Sequence, residues 1–180
     1  AAVTPLFNME TGTIARVAHK PDGGFDLTTL EVVFYTDLTT GAHLRKWTNP
    51  YTGETLDVTH GPLGPGVLSY GPDGSRRAPR RELGGAIIEG TTKVGPAVVV
   101  GDDAWVRLDN TSKVTQKDST GRPFLVNDWL IFHGSAAEIA DPRRPFAAAT
   151  SQLQEINGWS RWMNMGERTG NITSRAIGAK

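Results

Sequence analysis

At 180 residues, the chain is long enough to bury a sizeable core and is most economically one domain spanning residues 1–180. Nineteen basic and nineteen acidic residues give a formal net charge of zero, so the composition argues against nucleic-acid and membrane-surface partners. Cysteine is absent, which excludes disulfides, thiolate catalysis and cysteine metal ligands. The 21 glycines and 11 prolines predict many turns, which favours an all-β architecture.

In chain order, the first half of the sequence reads as strands separated by turns. Residues 13–19 alternate in polarity, and the Pro-Asp-Gly-Gly turn signal at 21–24 leads into a long strand up to Tyr35. Residues 31–60 then contain three strand-like runs separated by two glycine-containing turns. These runs, expected to pair as a consecutive antiparallel meander, are Val32 to Thr36, Leu44 to Thr48 and Thr55 to Thr59.

A short strand from Val67 to Tyr70 is followed by an arginine-rich segment. SRRAPRREL carries four arginines within six positions, namely Arg76, Arg77, Arg80 and Arg81. The segment lacks the interleaved aromatic residues of a nucleic-acid site, so it is interpreted first as a solvated loop. The alternative is a carboxylate-binding rim, because guanidinium groups bind carboxylates bidentately.

The second half of the sequence predicts further strands up to residue 133, followed by helical and aromatic segments. Strands are expected at 84–89, 96–100, 104–108 and 124–133, with a hairpin turn at 118–121. Residues 135–141 could form one helical turn, and residues 146–156 have the alanine, glutamine, leucine and glutamate content of a helix. Residues 158–166 form an aromatic cluster containing Trp159 and Trp162, and residues 169–179 predict a final strand.

Three segments carry a resemblance to a known family. FYTDLTTGAHLRKWTNPYTGETLDVTH resembles the central signature of the bacterial domain-of-unknown-function 1838 family. NDWLIFHGSAAEIADP and WSRWMNMGERTGNITSRAIGAK resemble later segments of that family, so the similarity covers roughly residues 12–179. The family implies a bacterial source but brings no settled activity or catalytic residues. An Ala-Ala start without Met fits either removal of an export signal or a truncated start, so cytoplasm and periplasm both remain open.

About nine antiparallel strands with little helix must protect their edges, and closure into a barrel does this most simply. The expected fold is therefore one antiparallel barrel-like, calycin-like domain with a short helical and aromatic segment near the C-terminus. A two-sheet sandwich with a filled interior is the alternative.

Polar residues on otherwise apolar strand faces indicate a site. His60 follows Leu56 and Val58 at strand spacing, and His133 follows Trp129 and Ile131. Both histidines are expected at the polar end of one interior cavity, although a histidine at a strand end is more often exposed or structurally hydrogen-bonded. The candidate catalytic set is His60, His133, Arg16, Asp128 and Tyr70.

Aromatic residues supply the candidate ligand-binding set, which is Tyr35, Trp47, Tyr51, Trp129 and Trp162. The four histidines show no close pair and no HExxH pattern, so no metal site is predicted. The absence of a βαβ unit and of a G-x-S-x-G motif argues against nicotinamide, flavin and serine-hydrolase chemistry, and no cofactor is expected.

Three functions from different classes fit these residues. The first is a cofactor-independent lyase, isomerase or hydrolase acting by general acid/base chemistry on a small hydrophobic, in particular aromatic, molecule in a barrel pocket. The second is a carrier or sensor that uses the same pocket without chemistry. The third is a structural β module that forms homo-oligomers. A ligand extracted from the protein would separate the third from the other two.

Overall fold

The computed structural model describes residues 3–83, 85–117, 123–141, 143–144 and 146–179. Within these ranges the chain is all-β, with one short helix, α1 (Ala136–Ala140), and one 3-10 turn (Arg161–Met163). The strands in chain order are β1 (Asn8–His19), β2 (Phe25–Thr36), β3 (Lys46–Thr48), β4 (Thr55–Asp57), β5 (Leu63–Tyr70), β6 (Arg80–Leu83), β7 (Ala86–Val94), β8 (Val98–Val100), β9 (Asp103–Gln116), β10 (Phe124–Ser135), β11 (Ala149–Asn157) and β12 (Ile172–Ala179).

The strands form three antiparallel sheets. The order is β1-β2-β5 in the first sheet and β12-β11-β10-β9-β7-β6 in the second, where β8 also pairs with β9. The third sheet is the small hairpin β3-β4. This confirms the expected all-β, antiparallel architecture. No closed barrel is formed by the pairings of the described residues.

The segment between β5 and β6 links the two larger sheets. Tyr70 at the end of β5 forms an antiparallel bridge with Arg76, and Ser75 forms one with Lys93 of β7. Backbone hydrogen bonds reinforce these bridges, from Arg77 N to Ser69 O at 2.8 Å and from Arg76 N to Thr92 O at 2.9 Å. Hydrogen bonding therefore continues from β1 across to β12, and these two strands form the ends of the path.

The meander prediction is correct for its second and third strands and incomplete for its first. β3 pairs with β4 antiparallel, as expected. β2 instead has β1 and β5 as its neighbours and reaches the residues before β3 through a single bridge between Thr36 and His43. The preceding strand β1 and the more distant β5 thus take the two places beside β2, one of which local order assigned to β3.

The helix predicted at residues 146–156 is wrong, because most of this segment is strand β11. β11 lies between β10 and β12 and is paired with both along its length. Tertiary pairing outweighs a helix propensity that is worth only tenths of a kcal/mol per residue. The helical turn after Ser135 is confirmed as α1, whose N-terminus is capped by the Ser135 hydroxyl. The hairpin turn predicted at 118–121 and the first residue of the strand predicted at 84–89 lie outside the described residues.

The aromatic segment near the C-terminus packs on the first sheet. The Trp162 ring lies 5.4 Å from that of Tyr35, 5.8 Å from that of Trp47 and 5.7 Å from that of Phe7, between centroids. Asn49, which is fully buried, donates from Nδ2 to the carbonyl oxygens of Met163 and Asn164 at 3.1 Å. These contacts fix the segment against β2 and β3. In the described part of the chain, no helix has the length and hydropathy needed to span a membrane.

Gly90 provides a test of the close contact between β7 and β9. A Cβ at this position would lie 2.1 Å from the Thr111 carbonyl oxygen and 2.5 Å from the Ser112 Cα, both in the backbone. Gly90→Ala should therefore lower the melting temperature, by the equivalent of about 1–3 kcal/mol. Gly12→Ala is the control, because no atom lies within 4 Å of that Cβ. Equal melting temperatures for the two variants would contradict the observed packing.

Candidate functional site

A row of polar side chains crosses the inner faces of the two larger sheets. Residues directly opposite one another in an antiparallel pair point to the same face, so the register identifies the members of the row. In the second sheet, Asn110 pairs with Thr92 on one side and with Asp128 on the other, and Asp128 pairs with Glu155. The complete row, called the polar belt below, is Tyr70, Arg76, Thr92, Asn110, Asp128, Glu155 and Ser174.

Hydrogen bonds connect the middle of the polar belt. Thr92 Oγ1 donates to Asn110 Oδ1 at 3.0 Å, and Ser112 Oγ donates to the same oxygen at 2.9 Å. These two bonds orient the Asn110 amide so that Nδ2 donates to Asp128 Oδ2 at 2.7 Å. The Asp128 carboxyl is therefore held in a fixed position on β10.

Glu155 lies beside Asp128 on the neighbouring strand. Its Oε1 accepts a hydrogen bond from Asn157 Nδ2 at 3.1 Å, and Ser174 on β12 donates a further one to the carboxyl group. Directly opposite residues in antiparallel strands have Cβ atoms roughly 5 Å apart, so the two carboxyl groups share one small region. This places two acidic groups side by side on the inner face.

Burial, aided by repulsion from nearby acids, raises the pKa of three carboxyl groups here. Desolvation is the main cause for Asp128, whose pKa stays raised although the hydrogen bond from Asn110 and the charge of Arg81 lower it, and the charge of Asp109 adds to the rise. Desolvation followed by the charges of Asp128 and Glu31 raises the pKa of Glu155. Desolvation followed by the charge of Asp128 raises the pKa of Glu31 on β2. The first sheet thus contributes a third acid to the same interior.

The other end of the polar belt carries hydrogen-bond donors. Tyr70 is fully buried, with its ring stacked on Phe25 at 4.7 Å between centroids. Burial raises the Tyr70 pKa, while the charges of Arg76 and Arg81 act in the opposite direction. Because the pKa lies above the ordinary value of about 10, the hydroxyl stays protonated at neutral pH and can donate.

Of the five predicted catalytic residues, two lie in the polar belt. Asp128 and Tyr70 both face the interior, and the charge of Asp128 affects the pKa of Tyr70. Arg16 is on edge strand β1, opposite Thr28, and is exposed on the face turned away from the belt. The structure therefore does not place Arg16 with Asp128.

The two predicted histidines are not brought together. His133 pairs with Trp105 on the outer face of β10, stacks on that ring at 4.8 Å and contacts Asp103 Oδ1 through Nε2 at 2.9 Å. His60 lies beside β2, where Nδ1 accepts from the Tyr35 backbone N–H at 3.1 Å and Nε2 lies 3.2 Å from the Leu44 carbonyl oxygen. The shared interior cavity expected for these histidines is thus contradicted, since His60 joins backbone segments and His133 belongs to the surface.

The predicted ligand-binding residues divide into one cluster and two separate positions. Tyr35, Trp47 and Trp162 are in mutual contact through Trp162. Tyr51 is exposed, with the Arg168 guanidinium 4.3 Å from its ring centroid. Trp129 is opposite Asp109 on the outer face, where Arg107 lies 5.5 Å from its ring. The structure brings together three of the five.

Two depressions on the described surface are lined by other residues, and neither includes a residue of the polar belt. The first, of about 330 Å³, is lined mainly by the aromatic C-terminal segment and the start of β10, including Phe124, Trp159, Ser160 and Met165. The second, of about 490 Å³, lies beside His133 and Asp103 on the outer face. Among the described residues, no group of three or more histidine, aspartate or glutamate side chains is placed to hold a metal ion.

The fold and the belt define an all-β antiparallel protein with an acidic and basic interior. The model of the family described as "Protein of unknown function (DUF1838)" matches residues 2–62, about a third of the chain, and confirms the resemblance over that segment. The match includes the central signature at 34–60, together with β1 and β2. No curated protein and no solved structure matches the chain.

Sequence reasoning missed Glu31, Glu155, Asn110 and the inward orientation of Arg81. Glu31 stands between Thr29 and Val33 on one face of a strand that was correctly predicted, so alternation could have identified it. Glu155 was hidden by the incorrect helix assignment. Assigning Asn110 and Arg81 to the site requires the register between strands, which cannot be read from the sequence.

The raised pKa of Asp128 predicts that the stability difference between Asp128→Asn and the wild type depends on pH. The folded chain keeps this proton at pH values where the unfolded chain has lost it, so this group makes the protein less stable as pH rises from about 4 to the raised folded pKa. Asp128→Asn removes the effect. The melting temperature of the variant minus that of the wild type should therefore increase with pH above about 4.

Asp37→Asn is the matched control for this titration. Asp37 lies in the turn after β2, and hydrogen bonds from Thr40 and Thr39 lower its pKa, so its contribution is already complete above about pH 4. Its difference curve should be flat there. Parallel pH profiles of Asp128→Asn and the wild type above pH 4 would contradict the burial of Asp128.

Proposed function

We propose that this protein is a cofactor-independent lyase, isomerase or hydrolase that acts by general acid/base catalysis on a small hydrophobic, in particular aromatic, molecule. The observation that carries the proposal is the pair of half-buried, directly opposed carboxyl groups of Asp128 and Glu155, both with raised pKa. Perturbed acids that share one site are typical of catalytic centres. The proposal keeps the chemistry expected from the sequence and transfers it from the histidines to the carboxyl groups.

The chemistry follows from the repulsion between the two groups. Two adjacent carboxylates in a partly desolvated site cannot both ionise easily, so the pair retains one proton over a range of pH. One member then acts as the base that removes a proton from the substrate or from water. Its partner acts as the acid that protonates the product or leaving group. The charge of Glu31 on the facing sheet strengthens this retention.

Donors in the same interior can stabilise the negative charge that develops when a base removes a proton. The Tyr70 hydroxyl is protonated, and the guanidinium of Arg81 is close enough for its charge to lower the pKa of Asp128. Fixed donors directed at a developing oxyanion commonly supply the largest part of enzymatic stabilisation. We assign the binding of negative charge on the substrate to Tyr70 and Arg81.

A barrel-like, calycin-like arrangement would enclose such a site and leave one way in. Continuous hydrogen bonding from β1 to β12 supports this arrangement. The inner-face side chains of β1, including Thr13, Ala15 and Val17, are exposed, with Val17 at 50%. The interior is therefore open to solvent along β1, where a substrate can enter.

A carrier or sensor function is the second candidate, and the aromatic cluster favours it. Phe7, Tyr35, Trp47 and Trp162 form a contiguous set of rings, and Ser160, which hydrogen-bonds Tyr35, also lines the 330 Å³ depression. Such a surface can bind an aromatic molecule without chemistry. If substitutions in this cluster lower the affinity for an aromatic molecule, and the wild type binds that molecule without turnover, this function is favoured.

The experiment is a turnover screen of the purified protein against a mixture of small aromatic and hydrophobic metabolites, followed by mass spectrometry. For any substrate found, Asp128→Asn and Glu155→Gln should each reduce kcat by about 10²–10⁴-fold, the usual range for a lost acid or base. Both substitutions preserve size and hydrogen-bonding capacity. Folding, measured by circular dichroism, should therefore be retained.

Asp57→Asn and Glu10→Gln are the controls, because both residues are exposed, Asp57 on β4 and Glu10 on β1. They should leave kcat within about twofold of the wild type. Full activity of Asp128→Asn and Glu155→Gln would reject the acid/base pair.

A further inference from the structure

Three buried donor atoms at one end of the interior have no hydrogen-bond partner among the described residues. They are the Tyr70 hydroxyl, Arg76 Nε and Arg81 Nε. A buried donor without an acceptor costs about as much as a lost hydrogen bond, so native proteins rarely leave several together. Three in one region indicate an acceptor that the chain itself does not supply.

The backbone places these donors together. Tyr70 and Arg76 are directly opposed in an antiparallel bridge, so their side chains leave the same face. Arg81 on β6 pairs with Ile88, which shares the inner face of β7 with Thr92 of the polar belt. Both guanidinium groups therefore point inward from neighbouring segments.

The alternating neighbours of these arginines point outward and have ordinary surface partners. Arg80 lies near Glu89 at 3.7 Å and Glu82 at 3.9 Å, and Arg77 forms an ion pair with Asp22 at 2.5 Å. Arg81, in contrast, forms no ion pair within the described chain, and its charge reaches Asp128 only through space. The four arginines of this segment thus divide into two surface residues and two interior ones.

Arg76 is held in place by one of its terminal nitrogens. Its Nη2 donates to the Gly90 carbonyl oxygen at 2.7 Å and to the Pro79 carbonyl oxygen at 3.0 Å. Desolvation and then the charge of Arg81 lower the Arg76 pKa, as expected for two like charges near one another without an anion between them. A bound anion would relieve this repulsion.

We propose that Arg81, Arg76 and Tyr70 form a subsite for the carboxylate group of a small aromatic or hydrophobic carboxylic acid. A planar carboxylate accepts two parallel hydrogen bonds from a guanidinium group and has lone pairs left for a hydroxyl donor. The subsite deepens the proposed function, on which it rests for the identity of the reaction, because it specifies the group by which the substrate is held. Carboxylate binding is measurable without turnover.

The test measures binding by isothermal titration calorimetry and by the shift in melting temperature. The probes are benzoate and phenylacetate, and benzamide is the neutral isostere. The wild type should bind the two carboxylates with a dissociation constant at or below about 10 mM, and benzamide at least about tenfold more weakly. Arg81→Gln should weaken benzoate binding by about tenfold or more. Arg80→Gln, the adjacent outward arginine, should leave it within about twofold.

Tyr70→Phe separates binding from folding. It keeps the ring stacked on Phe25 and removes only the unpartnered hydroxyl. The melting temperature should be unchanged or higher, and benzoate affinity should fall by about threefold or more. Equal affinity in Arg81→Gln and Arg80→Gln, or binding of benzamide as tight as that of benzoate, would overturn the subsite. A thermal shift with inorganic phosphate equal to that with benzoate would overturn the carboxylate assignment.

Failure of the subsite is distinguishable from failure of the proposed function. Asp128→Asn removes a negative charge from the same interior, so it should bind benzoate at least as tightly as the wild type. If Asp128→Asn binds benzoate tightly and keeps full turnover, the acid/base pair is rejected and the subsite is retained. If Asp128→Asn loses turnover but Arg81→Gln still binds benzoate as the wild type does, the subsite is rejected and the acid/base pair is retained.

Discussion

The antiparallel register across the inner face is the constraint on which the interior depends. Side chains alternate along a strand, so a one-residue slip in any pairing would turn part of the polar belt outward. The hydrogen bonds from Thr92 to Asn110 and from Asn110 to Asp128 exist in one register only. The same slip would bring outer-face charges such as Arg107 inward. The belt therefore helps to select the register that creates it.

Acidic groups on the two faces of the same strands have different hydrogen-bond partners and opposite pKa shifts. On the outer face, Asp109 has both carboxylate oxygens within 2.9 Å of Arg107 nitrogens and a lowered pKa. On the inner face, Asp128 has one neutral amide donor and a raised pKa. Surface ion pairs add little to stability, whereas partly buried unpaired acids reduce it. The acids on the inner face therefore lower the stability of the fold, and this cost is consistent with the catalytic role proposed for them.

Alternation in the sequence predicts much of this arrangement. It placed Asp128 on the same face as Val126 and Leu130, and the structure confirms that this face is the inner one. It also puts His133, five positions from Asp128, on the opposite face, so the expectation that the two share a cavity conflicted with the strand pattern itself. The rest depends on contacts between distant segments. Glu155 becomes a strand residue only because β10 and β12 lie on either side of its segment.

The distance between the arginines and the pair of Asp128 and Glu155 limits the size of a molecule that contacts both. Three strand spacings separate the Arg76 segment from β10, which is about 14 Å measured along the sheet. The long arginine side chain covers part of this distance. The charge of Arg81 acts on Asp128, so the two groups already interact through space. Under the proposed function, a single-ring carboxylic acid would place its carboxylate on the arginines and its reacting atoms beside Asp128 and Glu155.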